Sequence, residues 1–147
     1  MLTTTNRTMV HAQLETIWEL LLDRIENPQR YQPFVLTSRV IERTAALVIR
    51  ELNVSNMTIR ERISLDDNEK SIHSEFLEHP QYEGTIVTRL VPTSTQNPMA
   101  PVYLETDFKL EHKAVPMGRA VTTDKEMTTA LNDEMELIKE KAEELEK

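Results

Sequence analysis

Two hydrophobic periods divide this chain. From Leu36 to His112 apolar and polar residues alternate, the period of strands with one buried face. On either side the apolar residues recur every three to four positions, the period of helices with one buried stripe. The alternation predicts strands at Leu36–Arg43, Ala46–Val54, Met57–Leu65, Ser71–Glu78, Tyr82–Val91 and Val102–His112. The threonine-rich stretch Leu2–Met9 reads as a further, first strand. Helical spacing of Leu14, Ile17, Trp18, Leu21, Leu22 and Ile25 predicts a helix over His11–Ile25, ended by Asn27-Pro28. One turn of a second, short helix is expected within Pro28–Val35. Asp66-Asp67-Asn68 and His79-Pro80 supply turns, and Pro92–Pro101 is a long loop of the kind that often borders a functional opening. At the end, Thr123 and Glu126 have capping-box spacing, and Met127, Leu131, Met135, Ile138, Ala142 and Leu145 make one stripe. The helix they predict is roughly 36 Å long at ~1.5 Å per residue. Laid across a sheet, that stripe joins the core; paired with a second copy, it would be a coiled-coil seam, which keeps a homodimer open. The Glu/Lys-rich tail from Glu134 reads as a solvated helix face.

The two strands around Ser55-Asn56 can be paired on paper. Val54 then faces Met57, Leu52 faces Ile59, Val48 faces Ile63 and Ala46 faces Leu65, with Arg50 opposite Glu61 as the one charged pair in that row. The other face pairs Glu51 with Arg60 among mostly polar neighbours, and a one-residue slip would mix the two sets. An ion pair in an apolar row is costly to desolvate and tends to sit where something polar must be positioned. It could equally pin the hairpin register.

Carrying the same face across the later strands gives an apolar wall with a few polar points. It runs through Ile72, Ser74 and Phe76, then Tyr82, Ile86, Thr88 and Leu90, then Val102, Leu104, Thr106, Phe108 and Leu110. A ligand pocket has this composition, and so does a plain core with satisfied hydroxyls. The candidate ligand-binding residues are Arg50, Glu61, Ser74, Tyr82, Thr88, Thr106 and Phe108, with Trp18 as core or cavity lining. The methionines Met9, Met57, Met99, Met117, Met127 and Met135 suit a deformable pocket or fill gaps.

Composition narrows the function classes. The 147 residues are enough for one domain, 1–147, with its own core. A formal charge of -8 argues against nucleic acid and against docking on anionic membrane. There is no cysteine, hence no disulfide framework or thiol chemistry. Met1–Val10 lacks the pattern of a signal peptide and no stretch suits a membrane span, so a cytoplasmic protein is expected and the three Asn-x-Ser/Thr matches are chance. The histidines His11, His73, His79 and His112 lack metal-ligand spacing, and two glycines, Gly84 and Gly118, make no phosphate loop. No metal and no cofactor are therefore expected. With aromatic residues at 5%, an aliphatic or alicyclic ligand is favoured over a stacked one.

The element order (strand, helix, short helix, six antiparallel strands, terminal helix) resembles the helix-grip fold of the START/SRPBCC superfamily. Locally, Leu47–Leu52 (Leu-Val-Ile-Arg-Glu-Leu) followed by Ile59–Arg62 (Ile-Arg-Glu-Arg) is similar to the AtaL-like branch, with its Arg-Glu-Leu strand and a following strand that carries a Glu. The resemblance implies an α+β domain, a curved antiparallel sheet of about seven strands wrapped on a long terminal helix, with two shorter helices after the first strand. It also implies a cavity for an apolar ligand, since relatives include lipid carriers, plant hormone receptors, polyketide cyclases and aromatases. The glycine-rich loop of the pollen allergens in that superfamily is missing, so phosphate-like binding is not implied.

Two functions stay open. One is an intracellular binder or carrier of a small hydrophobic molecule, with no chemistry. The other is a cyclase- or aromatase-like enzyme in which Arg50 and Glu61 hold a carbonyl or handle a proton. A carboxylate facing an arginine favours the charged form of both, which suits holding a ligand better than passing a proton. A third and blander outcome is a cavity filled by the protein's own side chains.

Overall fold

A computed structural model describes residues 2–54, 57–114 and 123–147. Seven strands form one antiparallel sheet: β1 (Leu2–Val10), β2 (Val35–Arg43), β3 (Leu47–Val54), β4 (Met57–Asp66), β5 (Ser71–Glu78), β6 (Tyr82–Pro92) and β7 (Val102–His112). Their order across the sheet is β1-β7-β6-β5-β4-β3-β2, so β1 and β2 are the two edges. Two helices, α1 (Leu14–Glu26) and α2 (Asp124–Leu145), complete the fold. Between α1 and β2 the chain makes only a single 3-10 turn, Pro28–Arg30, where a short second helix was expected. Pro33 and the return to extended backbone at Val35 leave no room for more.

The period-two alternation does its work in β3, β4 and β7. Val48, Arg50, Leu52 and Val54 face inward, as do Ile59, Glu61 and Ile63, and every second residue of β7 from Val102 to Leu110 is buried. The β3–β4 register matches the paper pairing throughout: Val48 opposite Ile63, Arg50 opposite Glu61, Leu52 opposite Ile59, Val54 opposite Met57. Leu65 continues it by donating its backbone N–H to the Ala46 carbonyl at 2.8 Å. On the outer face Arg60 Nε reaches Glu51 Oε2 at 3.0 Å. The Ser55-Asn56 turn itself lies outside the described residues. Gly84 in β6 has φ +133°, and a Cβ there would stand 2.0 Å from the Lys109 carbonyl oxygen of β7. Only glycine lets the two backbones come that close.

Helix α1 starts at Leu14, three residues later than its apolar spacing suggests, because the segment before it is held by the other helix. The His11 N–H donates to Glu143 Oε2 at 2.9 Å and the Gln13 N–H to Glu146 Oε1 at 3.0 Å. Helix α2 is capped as its sequence predicts, with Thr123 Oγ1 accepting from the Glu126 N–H at 3.1 Å. Its stripe is spent inside the chain: Met135, Ile138 and Ala142 are buried against α1 and the sheet, so it is no seam for a second helix. The loop after β6 is closed at its base, where the Thr93 N–H and Oγ1 both donate to the Pro101 carbonyl.

Among the described residues, buried apolar side chains form three clusters. The largest joins α1, the C-terminal half of α2 and inward residues of every strand but β2, from Val10 of β1 to Val48 of β3, with Trp18, Leu21, Ile63 and Ile138 inside it. A second holds Val35, Leu52, Val54 and Ile59. The third is built on Tyr82, Phe108 and Leu110. Met127 and Leu131, on the N-terminal half of α2, pack against the third, and Phe76 touches both the second and the third.

Candidate functional site

Where the clusters stop, a cavity of about 380 Å³ remains between the concave face of the sheet and α2. Its wall is mostly apolar, with Leu52, Ile59, Ile72, Phe76 and Ile86 from the sheet and Met127, Leu131 and Met135 from the helix. Met57 also lines it, whereas Met9 and Met99 are exposed and Met117 lies outside the described residues. The half-exposed Phe34 borders both the cavity and an outer groove lined by Tyr31, Pro33 and residues of α2. No residue of the loop after β6 lines the cavity, contrary to the expectation for Pro92–Pro101; that loop lies against Gln13, whose Nε2 donates to Met99 Sδ at 3.7 Å.

The pairing of β3 with β4 puts Arg50 and Glu61 side by side on the cavity wall, 7% and 8% exposed. Arg50 Nη2 stands 3.4 Å from Glu61 Oε1, and Glu61 Oε2 accepts from Ser74 Oγ on β5 at 2.7 Å. Arg50 has a second attachment that its sequence position does not announce. Its Nη1 donates to the carbonyls of Arg24 at 3.2 Å and Ile25 at 3.0 Å. Those belong to the last turn of α1, whose carbonyls have no partners within the helix. The arginine therefore fastens α1 to the sheet as well as pairing with Glu61.

A second ion pair roofs the same cavity. Arg24 Nη1 stands 2.9 Å from Glu134 Oε1, and Gln32 Nε2 donates to Glu134 Oε2. Glu134 is 4% exposed, not part of a solvated face. It follows Met127 by seven residues and Leu131 by three, which places it on the buried stripe; that spacing was a signal available in the sequence. Arg24 and Gln32 carried none, because α1 and the turn after it meet α2 only in the fold.

His79, just after β5, also lines the cavity and was passed over as a non-ligand for metal. Its Nδ1 accepts from the backbone N–H groups of Gln81 at 3.0 Å and Tyr82 at 3.2 Å. The neutral ring therefore carries its proton on Nε2. Burial pushes the imidazole down to about 4.

Of the residues singled out from sequence, Arg50, Glu61, Ser74, Thr88 and Thr106 line the cavity together. Thr88 and Thr106 face one another across β6 and β7, both almost fully buried. Trp18, Tyr82 and Phe108 do not line it. Trp18 packs in the largest cluster, with Lys70 Nζ 5.2 Å from its ring centroid. Phe108 sits with Tyr82 and Leu110 beyond the cavity's end, and the Tyr82 hydroxyl donates to Asp124 Oδ1 at 2.7 Å. Alternation gives the face of the sheet correctly for both, but not how far along it α2 leaves a gap.

The fold recurs in solved proteins. An aromatase/cyclase, Zhui from Streptomyces sp. R1128, is 18% identical with a TM-score of 0.63 over 93% of this chain and 86% of its own. XoxI from Bacillus cereus is 17% identical with a TM-score of 0.69 over 100% of this chain and 99% of its own. TTHA0849 from Thermus thermophilus is 14% identical with a TM-score of 0.73 over 96% and 97%. No curated protein matches the sequence. The family model AtaL, described as acetylaranotin biosynthesis cluster protein L, matches residues 5–144. The chain, a curved seven-stranded sheet gripping a C-terminal helix, thus belongs to the AtaL family.

Proposed function

We propose that the protein binds or carries a small, largely apolar molecule in the cavity between sheet and α2. The observation that carries this reading is the largely apolar cavity of about 380 Å³, whose buried charges, Arg50 with Glu61 and Arg24 with Glu134, cancel pairwise. Arg50, Glu61, Ser74, Thr88 and Thr106 are its polar contacts in this proposal. A cytoplasmic site of action accords with the absence of cysteine and, among the described residues, of any helix long and apolar enough to cross a membrane.

A second reading is an enzyme of the cyclase or aromatase type. It draws on the fold shared with Zhui and on Arg50 and His79, two donors able to polarise a carbonyl. Proton transfer is the weak part. With its imidazole near 4, His79 is protonated in only about one molecule in a thousand at pH 7, which makes it a poor acid. Binding is the better-supported function. Native mass spectrometry of protein purified from cells tests it: a retained non-covalent adduct of one small molecule is expected. A bare mass, together with no response to any apolar probe in NMR titration, sinks it.

A further inference from the structure

The unpartnered polar atoms of cavity-lining residues say what the bound molecule must bring. Among the described residues, two buried side-chain atoms make no hydrogen bond, Arg50 Nε and Thr106 Oγ1, and both belong to residues that line the cavity. Buried polar groups are nearly always satisfied, so two orphans on one cavity wall ask for a cause. His79 adds a third open position: its Nδ1 is taken by two backbone N–H groups, and Nε2–H meets no described residue.

These three are alike in kind. Arg50 Nε and His79 Nε2 can only donate, and Thr106 Oγ1 can donate. The buried carboxylates of the wall are already served. Glu61 takes bonds from Arg50 and Ser74, and Glu134 from Arg24 and Gln32. The unmet demand is for an acceptor. It is not for charge, because Arg50 is already paired with Glu61 and a ligand carboxylate would add an anion beside Glu61 and Glu134. An ammonium ligand would set donors against donors.

We propose that the molecule held here is uncharged and presents an acceptor oxygen, as in a ketone, ester or lactone, to Arg50 Nε–H or the Thr106 hydroxyl. The inference rests on reading the cavity as a ligand site and adds the chemistry of its occupant. Arg50 on β3 and Thr106 on β7 stand four strands apart on the curved wall, so each meets the ligand at a different point. Burial keeps His79 neutral at physiological pH, so it adds a donor without adding charge.

The test uses one skeleton with four functional states: tetralin, 1-tetralone, tetralin-1-carboxylate and 1-aminotetralin as its cation. Each is titrated into the intact protein at pH 7 and followed by protein-detected NMR. The ketone is expected to bind roughly three- to tenfold more tightly than the hydrocarbon, and both ions more weakly than either. Thr106→Val, which keeps the side-chain shape without the hydroxyl, and Arg50→Lys, which keeps the charge without Nε, should each shrink the ketone's advantage. Equal affinity of tetralin and 1-tetralone, or tightest binding by an ion, overturns the inference and leaves the cavity's binding role standing. An advantage that survives both substitutions overturns the assignment of these two donors. No binding of any of the four, with no adduct in the native mass spectrum, brings down the binding reading itself.

Discussion

Replacing Arg50 by Met, Glu61 by Leu, and both together separates the ion pair from the helix fastening. Arg50→Met removes the partner of a buried carboxylate, a loss of about 3 kcal/mol at the lower end for a broken buried pair. It also strips the Arg24 and Ile25 carbonyls of their donor, at about 1 kcal/mol each. The expected total is about 5 kcal/mol, a large part of the ~5–15 kcal/mol that holds a domain together. Glu61→Leu strands the arginine's charge but leaves it bonded to both carbonyls, so the expected loss is smaller, about 3 kcal/mol. In the double variant the charges are gone and the carbonyls remain unmet, which predicts a residual loss of about 2 kcal/mol rather than full recovery. The assay is urea unfolding of the four proteins by circular dichroism, with sucrose added equally to all so that Arg50→Met remains folded. The order should be Arg50→Met worst, Glu61→Leu next, and the double variant less destabilised than either. A double variant as costly as the two single losses added would show that the pair is not coupled. Recovery to wild-type stability would show that the bonds to α1 contribute nothing.

His79 makes stability depend on pH with a definite sign. Its folded value near 4 lies below the ordinary 6.5, so the unfolded chain takes up the proton first; the contribution is complete above about pH 6.5 and is lost as pH falls towards 4. Allowing for solvent access through the cavity, about 2 kcal/mol should disappear over that window, and His79→Gln should flatten the urea-midpoint profile between pH 6.5 and 5. Deleting the chain from Asp124 onward uncovers the faces packed on Met135, Ile138 and Ala142; each large buried side chain is worth ~1.5–3 kcal/mol, so no cooperative thermal transition should remain. A sharp transition at the wild-type midpoint would show that α2 is dispensable. Ala130→Phe projects a ring into the cavity from α2 and should abolish 1-tetralone binding while shifting the melting midpoint by only a few degrees; retained binding would place the ligand elsewhere.

The sheet was legible because its information is local. Alternation fixes which residues of β3 and β4 face inward, and the charges on both faces leave one register that keeps Arg50 with Glu61 and Glu51 with Arg60. Thr123 and Glu126 marked the start of α2 for the same reason. What sequence reasoning missed depends on contacts between distant elements. The N–H groups of His11 and Gln13 are held by carboxylates over 130 positions away, and the carbonyls that Arg50 bonds lie 25 and 26 residues back. Glu134 was a different failure. Its place on the stripe was visible, but a Glu among Glu and Lys reads as solvent-facing until Arg24 and Gln32 come to meet it. Trp18, Tyr82 and Phe108 show the remaining limit, since an inward-facing side chain lines a cavity only where the opposing helix stands off.

Helix α2 does two jobs along its length, and the division explains why a cavity exists. From Met135 onward its inward residues, Ile138 and Ala142, press into the largest cluster together with α1. Before Met135 the inward positions are Met127, Ala130, Leu131 and Glu134, and no helix lies between them and the sheet. Met127 and Leu131 pack on the Tyr82–Phe108–Leu110 cluster, whereas the carboxylate of Glu134 keeps its two partners and the methyl group of Ala130 fills little space, so a gap is left above the strands beside those two. Packing in the C-terminal half holds the helix in place, and the polar ties of Arg50 and Glu134 hold α1 and the Gln32 segment at the cavity's edge. In the proposed binding role, the ion pairs Arg50–Glu61 and Arg24–Glu134 hold the polar groups of the wall in place before a ligand arrives.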